Sequence, residues 1–323
     1  MIRTTKLLLA ASLLALAAPA AAQSASCDRQ CLIDLADRYA QAMIDDSPQS
    51  LRWATGAVVV ENLAPSAPGQ GAFTTITGEG TDAYAIHVAD PVSGHVGLLK
   101  MMAEGEAPVF VGIRLKIDAS GAIAEAEHLI ARNLGAGQLA NLQAPRPALL
   151  APVAEDYADS RGRLLWLGRS YYDALDNGNS RQSNMADDCE RRENGFQTAR
   201  NSMARPVTGN GQRDAAFAYL GGLGCAAQMD TNMWEYITRI EDRRVDIADP
   251  VTGLVWGMSH FEHDFAKKDF ALIGVPGTTM RHMDYNAFDM PAIHVYKVWG
   301  GAIHEIEALG IVMPYQSPHV FER

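Results

Sequence analysis

Two histidines three residues apart, His260 and His263, close the apolar run LVWGMSHFEH. An imidazole titrates near neutrality, so proton transfer in either direction is cheap there, and these two are the leading acid/base candidates. The H-x-x-H spacing also raises the question of a shared metal. On a strand the two side chains point to opposite faces, so a joint site would need a bulge, and no metal is expected. Arg191 can anchor a carboxylate or phenolate, or orient a carbonyl. A salt bridge to Glu193 is its structural alternative. Tyr172 can donate to a substrate oxygen. A base, a cation and a phenol together suit proton chemistry without a cofactor, and none is expected.

Around these groups the sequence places material for a pocket wall. Strand alternation puts Trp256, Met258 and His260 on one face, and Gly257, Ser259, Phe261 and His263 on the other. Trp234 and Tyr236 share a face of the preceding segment; Cys189, Arg191 and Glu193 share another, and His294 aligns with Tyr296 and Val298. Apolar rings with a few polar groups are the usual make-up of a small-molecule site. Glu193, Trp234, Tyr236, Trp256 and His294 are therefore candidate substrate contacts. His282 and Tyr285 lie on a long insertion that could close over a ligand.

The elements that position these residues come in two copies. LADRYAQAMIDDS at Leu35 matches LGRSYYDALDNGN at Leu167, setting Tyr39 on Tyr171 and Tyr172 on Ala40. Glu61-Asn62 falls on Glu193-Asn194. ADPVSG at Ala89 matches ADPVTG at Ala248, and GAIAEAE at Gly121 matches GAIHEIE at Gly301. Residues kept in both copies serve the shared fold; polar residues in one copy are better candidates for function. Met101 and Met102 correspond to His260 and Phe261, and six of the nine histidines lie in the second copy. Residues 23–135 then form a scaffold unit, 136–162 a Pro- and Ala-rich linker, and 163–323 the unit with the pocket. The second unit carries insertions at about 198–231 and 265–291. Each unit begins with a helix, where Leu32, Leu35, Ala36, Tyr39, Ala42 and Met43 share one face, and continues in antiparallel strands. The fold class is α+β, as two tandem cone-shaped half-barrel units.

The N-terminus reads as a signal peptide over 1–22: Arg3 and Lys6, an apolar run from Leu7 to Ala17, then the cleavage site Ala20-Ala21-Ala22. The mature chain would start at Gln23, outside the cytoplasm, periplasmic or secreted. Four cysteines fit an oxidising compartment. They allow three pairings; the preferred one joins Cys27 to Cys31, a helix turn apart, and Cys189 to Cys225. The net charge is −11, or −13 without Arg3 and Lys6, and no basic patch is present to neutralise phosphates. Nucleic acid is excluded as a partner on that ground, and no membrane contact is expected after cleavage. A small molecule is the expected partner, and a homo-oligomer is allowed. No G-x-S-x-G, P-loop or H-E-x-x-H occurs, and GGLG at Gly221 follows no strand of a βαβ unit.

The segments CDRQCL at Cys27, DDCERRENGFQT at Asp187, DRRVDIADPVTGLV at Asp242 and GAIHEIEA at Gly301 resemble a family of uncharacterised secreted bacterial and fungal proteins. The element order resembles the nuclear transport factor 2-like, or SnoaL-like, superfamily to which that family is similar. The resemblance implies helices packed on a curved sheet, and sheets that pack back to back as in a dimer. Its members include dehydratases, isomerases, cyclases, lyases and pure binding modules. The expected function is a cofactor-independent lyase, dehydratase or isomerase acting on a small hydroxylated or carbonyl, aromatic compound. A non-catalytic ligand-binding protein is the alternative.

Overall fold

The structure is a computed structural model describing residues 27–81, 83–201 and 211–318, with the side chains of 211–214 set aside. The expected signal peptide, 1–22, and Gln23 lie outside the described residues. The chain is α+β, with two mostly antiparallel sheets and few helices.

The first sheet contains β1 (Trp53–Glu61), β2 (Ala85–Asp90), β3 (His95–Glu104), β4 (Ala107–Ile117) and β5 (Ile123–Ala131), ordered β1-β5-β4-β3-β2. The second contains β6 (Met185–Glu193), β7 (Arg239–Asp249), β8 (Leu254–His263), β9 (Phe288–Trp299) and β10 (Ala302–Gly310), ordered β6-β10-β9-β8-β7. The two orders are the same, and in each the first pair is parallel and the rest antiparallel.

One helix covers the outer face of each sheet. In α1 (Arg29–Ile44) the apolar positions recur at helical spacing, and Leu32, Leu35, Ala36, Tyr39, Ala42 and Met43 are all buried against the first sheet. Asp28 caps it by accepting from the Cys31 backbone N–H. In α2 (Arg161–Asp176), Ser160 is the cap, and Leu164, Leu167, Tyr171 and Tyr172 are buried. The helix sits close because it presents Gly168, where a Cβ would come within 2.9 Å of Val245 and Val255. Cys27 is bonded to Cys31, and Cys189 to Cys225.

The sheets' other faces meet in a third core, where Ile86, Leu99, Met101 and Phe110 pack on Ile247, Trp256, Met258 and Ile293. The approach is tight: a Cβ on Gly97 would lie 2.4 Å from the Trp256 ring, and one on Gly112 2.2 Å from Ile293. The result is four layers, helix–sheet–sheet–helix. Ion pairs cross the joint. Arg161, at the start of α2, holds Asp90 in the first sheet with Nε–O distances of 2.8 and 3.0 Å. Arg29, at the start of α1, holds Asp249 in the second at 2.9 and 3.0 Å. Both aspartates are buried, and both come from the ADPV turns. Arg244 adds a two-pronged pair to the buried Glu127.

The segment 136–162 is docked rather than loose. Leu142 and Leu149 are buried in the joint, and Arg146 reaches Glu190 at 2.6 Å and the Ile306 carbonyl at 2.7 Å.

Removing a buried carboxylate's charge strands its partner and its backbone donors. Asp90→Ala should lower stability by about 3 kcal/mol, whereas Arg169→Ala, at an exposed 4.0 Å pair, should cost under ~1 kcal/mol. Urea unfolding of both variants checks the contrast.

Candidate functional site

On its helix side the second sheet is hollow where the first is filled. In the first sheet Val111 pairs with Ile130 and Ile113 with His128, all packed against α1. The same register positions in the second sheet carry Ala292 with Gly310, and His294 with Ala308. Three side chains thus shrink to methyl or hydrogen. A cavity of about 110 Å³ remains, lined by Tyr171, Arg191, Glu193, Trp234, Tyr236, Phe261, His263, His294, Ala292, Ala308 and Gly310 among others. In the first sheet the corresponding space holds His128, which meets the Tyr39 hydroxyl at 2.9 Å.

Arg191, on β6, has most of its donors engaged. Its Nε donates to Glu193 Oε1 at 2.7 Å and to Thr198 Oγ1 at 2.9 Å, Nη2 to Gln228 at 2.8 Å, and Nη1 to the Tyr171 hydroxyl at 3.3 Å. Its guanidinium also lies 4.7 Å over the Trp234 ring. It therefore holds other groups in place before it could hold a ligand. Glu193 is one of them: one carboxylate oxygen is fixed by Arg191 and Thr198, while the side chain stays about half exposed at the cavity edge.

Both cavity histidines are neutral at neutral pH. Burial pushes His263 down to about 4, and its Nδ1 has no hydrogen-bond partner among the described residues. Phe288 stacks on it at 4.3 Å, with Tyr236 at 5.7 Å. His294 is pushed to about 3 by burial and by the nearby Arg191. Its Nδ1 lies 3.2 Å from the Tyr172 hydroxyl. Tyr172 itself, raised to about 12 by burial, is packed beneath the site and acts on it through His294.

Six of the sequence candidates thus gather at the cavity: Arg191, Glu193, Trp234, Tyr236, His263 and His294. Others stand apart. The β8–β9 pairing runs without a break through His260 and His263, so alternation sends them to opposite faces. His260 faces an open charged cleft and lies 3.3 Å from Asp289. Trp256 is inter-sheet core over Gly97. His282 is exposed and paired with Asp269, and Tyr285 is exposed against Phe265. The two insertions build a small core of their own, from Ala216, Leu220, Phe265, Phe270, Leu272, Val275 and Met283, with Tyr236 packed on it. Tyr171, Thr198, Gln228 and Phe288 were missed by the sequence reading. The small residues Ala292, Ala308 and Gly310 were the available signal for a hollow.

A family profile described as Domain of unknown function (DUF8021) matches residues 157–310. The match falls on the second sheet and its helix. No curated protein matches the chain. One solved structure, described as a "putative polyketide cyclase" from Silicibacter sp. TM1040, is similar at 12% identity. It covers 46% of this chain and 88% of its own, with a TM-score of 0.27, too low to bear on fold or chemistry.

The neutral histidines make stability acid-sensitive. The unfolded chain takes up protons below about pH 6.5, while His263 in the folded state does not until about 4. Stability is therefore held above the unfolded value and lost as pH falls through that window. His263→Phe should flatten the decline between pH 7.5 and 5 by about 2 kcal/mol. Urea midpoints at the two pH values measure it.

Proposed function

We propose that the second unit is a small-molecule site that performs a cofactor-independent lyase, dehydratase or isomerase step. The carrying observation is the hollow itself: a buried histidine with an unpartnered nitrogen and a positioned carboxylate border a space that the first sheet fills. The reading extends to the chain as a whole. Residues 23–135 and 163–323 are two copies of a SnoaL-like unit, placed back to back as in a dimer, and the protein is exported. The matching strand orders support the first statement. The two disulfides are consistent with the second, and among the described residues no helix is long and apolar enough to cross a membrane.

In this reading His263 accepts the proton. A conjugate acid near 4 lies about three units below neutral pH, a handicap of about 4 kcal/mol against a base matched to pH 7. The handicap has a use. A protonated His263 is a strong acid, ready to give the proton to a departing hydroxyl, which favours elimination over a free-standing imidazolium. Negative charge on a substrate oxygen is met by the Arg191 guanidinium and by His294, whose Nε2 is left for the ligand once Tyr172 holds Nδ1. The substrate is small: at about 110 Å³ the cavity is of the order of the roughly 150 Å³ of a site that takes benzene, room for one ring and little more. One observation favours a non-catalytic binder instead: most of the arginine's donors are already used.

The test incubates the purified protein with pooled single-ring phenols, enones and hydroxylated metabolites and follows every mass, with ultrafiltration alongside. A substrate mass should fall as a product grows. His263→Gln should cut turnover by about 10²–10⁴-fold, and Ala308→His, which restores the first sheet's side chain, should abolish both retention and turnover. Full turnover by His263→Gln would overturn the assignment; retention without conversion would establish the binder.

A further inference from the structure

The inner cavity is not alone. A second space of about 350 Å³ opens on its outer side, and the two share Leu175, Trp234, Tyr236 and Ile237 as lining. The chain segment 234–237, with Leu175 of α2, borders both. Either volume alone falls at or below the low end of ordinary ligand sites, while the two together lie within their range.

The two spaces differ in chemistry. The inner one is walled mostly by rings and aliphatics, with Arg191 and Glu193 as its charged pair. The outer one carries Asp176, Asn232, Glu235, Thr238, Asp264 and Lys267. Much of that set is already partly engaged: Asp176 with Arg243, Glu235 with Lys267, and Asp264 Oδ1 with the Ala266 N–H. Thr238 Oγ1 accepts the Asp264 N–H, and Asn232 donates to the Ala271 carbonyl. Arg243 and Lys267 balance Asp176 and Glu235, and among the described residues Asp264 is the carboxylate with no cation on it, so what remains is mostly acceptor oxygen. Such a surface recognises hydrogen-bond donors and repels anions.

Segment 234–237 is pinned from outside. Arg281 donates to the Met233 carbonyl at 2.5 Å and lies 5.2 Å over the Tyr236 ring, and Trp234 rests on Arg191. These are side-chain contacts rather than strand pairing, since residues 231–236 form turns. The strap lies outside the strand ladders, so a shift that joined the two spaces would leave both sheets intact.

We infer that the ligand is a two-part molecule, with a single-ring or smaller head in the inner cavity and a donor-bearing, non-anionic tail in the outer cleft beyond Trp234–Ile237. This rests on the inner cavity being the ligand site, as proposed above, and adds the tail and its chemistry. The donors can be hydroxyls or an ammonium, and the test separates them.

The test measures binding of four probes to the purified protein by calorimetry: phenol, phenyl β-glucoside, tyramine and 3-(4-hydroxyphenyl)propionate. Phenol should bind weakly. The glucoside, the tyramine or both should bind at least tenfold tighter, naming a polyol or an ammonium tail. The propionate should bind no better than phenol. Asp264→Ala should remove most of the tail's gain while phenol affinity and melting temperature hold. If phenol binds but no donor tail improves on it, or the anionic tail binds best, the inference falls and the inner site stands. If no probe binds, the inner site falls and the inference with it.

Discussion

Two buried carboxylates hold this molecule together. Asp90 and Asp249 sit at the ends of equivalent strands, and each takes the arginine that opens the helix on the other sheet. A carboxylate with so little water around it is tolerable only when paired and hydrogen-bonded. The cations come from across the joint, Asp90 also accepts the Ala248 N–H of the opposite sheet, and Asp249 accepts the Val251 N–H and the Thr252 hydroxyl of its own turn. The pairing fixes how the sheets meet, and so places Trp256 on Gly97 and Ile293 on Gly112. With one face of each sheet committed to the joint, the helix-covered face is the one left for a ligand.

That face in the second sheet is costly to leave empty. A void of about 110 Å³ forfeits roughly 2–3 kcal/mol of packing. The Cys189–Cys225 bridge closes a loop of 36 residues, and a link of that span is worth roughly 3–4 kcal/mol. The bridge also ties β6, which carries Arg191 and Glu193, to the helix Cys225–Met229, which carries Gln228. Stability and the positioning of polar groups thus come from one covalent link. The rings around His263 add rigidity, and their burial is what keeps the imidazole uncharged.

Part of the fold was legible in the sequence: the α+β class, the helical spacing and the antiparallel strands are found where they were expected. The matched segments located the helix faces, the turns and the richer second half. Strand alternation alone separated His260 from His263. What was not legible depended on partners far apart in the chain. The aspartates of ADPV read as turn residues, since nothing in the local sequence shows an arginine arriving from the other half. That Arg191 also holds Thr198, Gln228 and Tyr171 was hidden because these partners lie up to 37 residues away. Trp256 looked like a pocket wall because alternation gives a face without saying what covers it. The hollow was written in Ala292, Ala308 and Gly310, and small side chains carry little meaning until the register sets them against Val111, His128 and Ile130.

The crossed latches also order events in time. Arg29 must wait for Asp249, 220 residues downstream, and Asp90 for Arg161, 71 residues on. In the first half both Asp90 and Arg29 wait for partners that lie in the second. Docking is a contact of high sequence separation, slow to form and late to reward. The crossed pairs can therefore both close only once the chain has been made as far as Asp249.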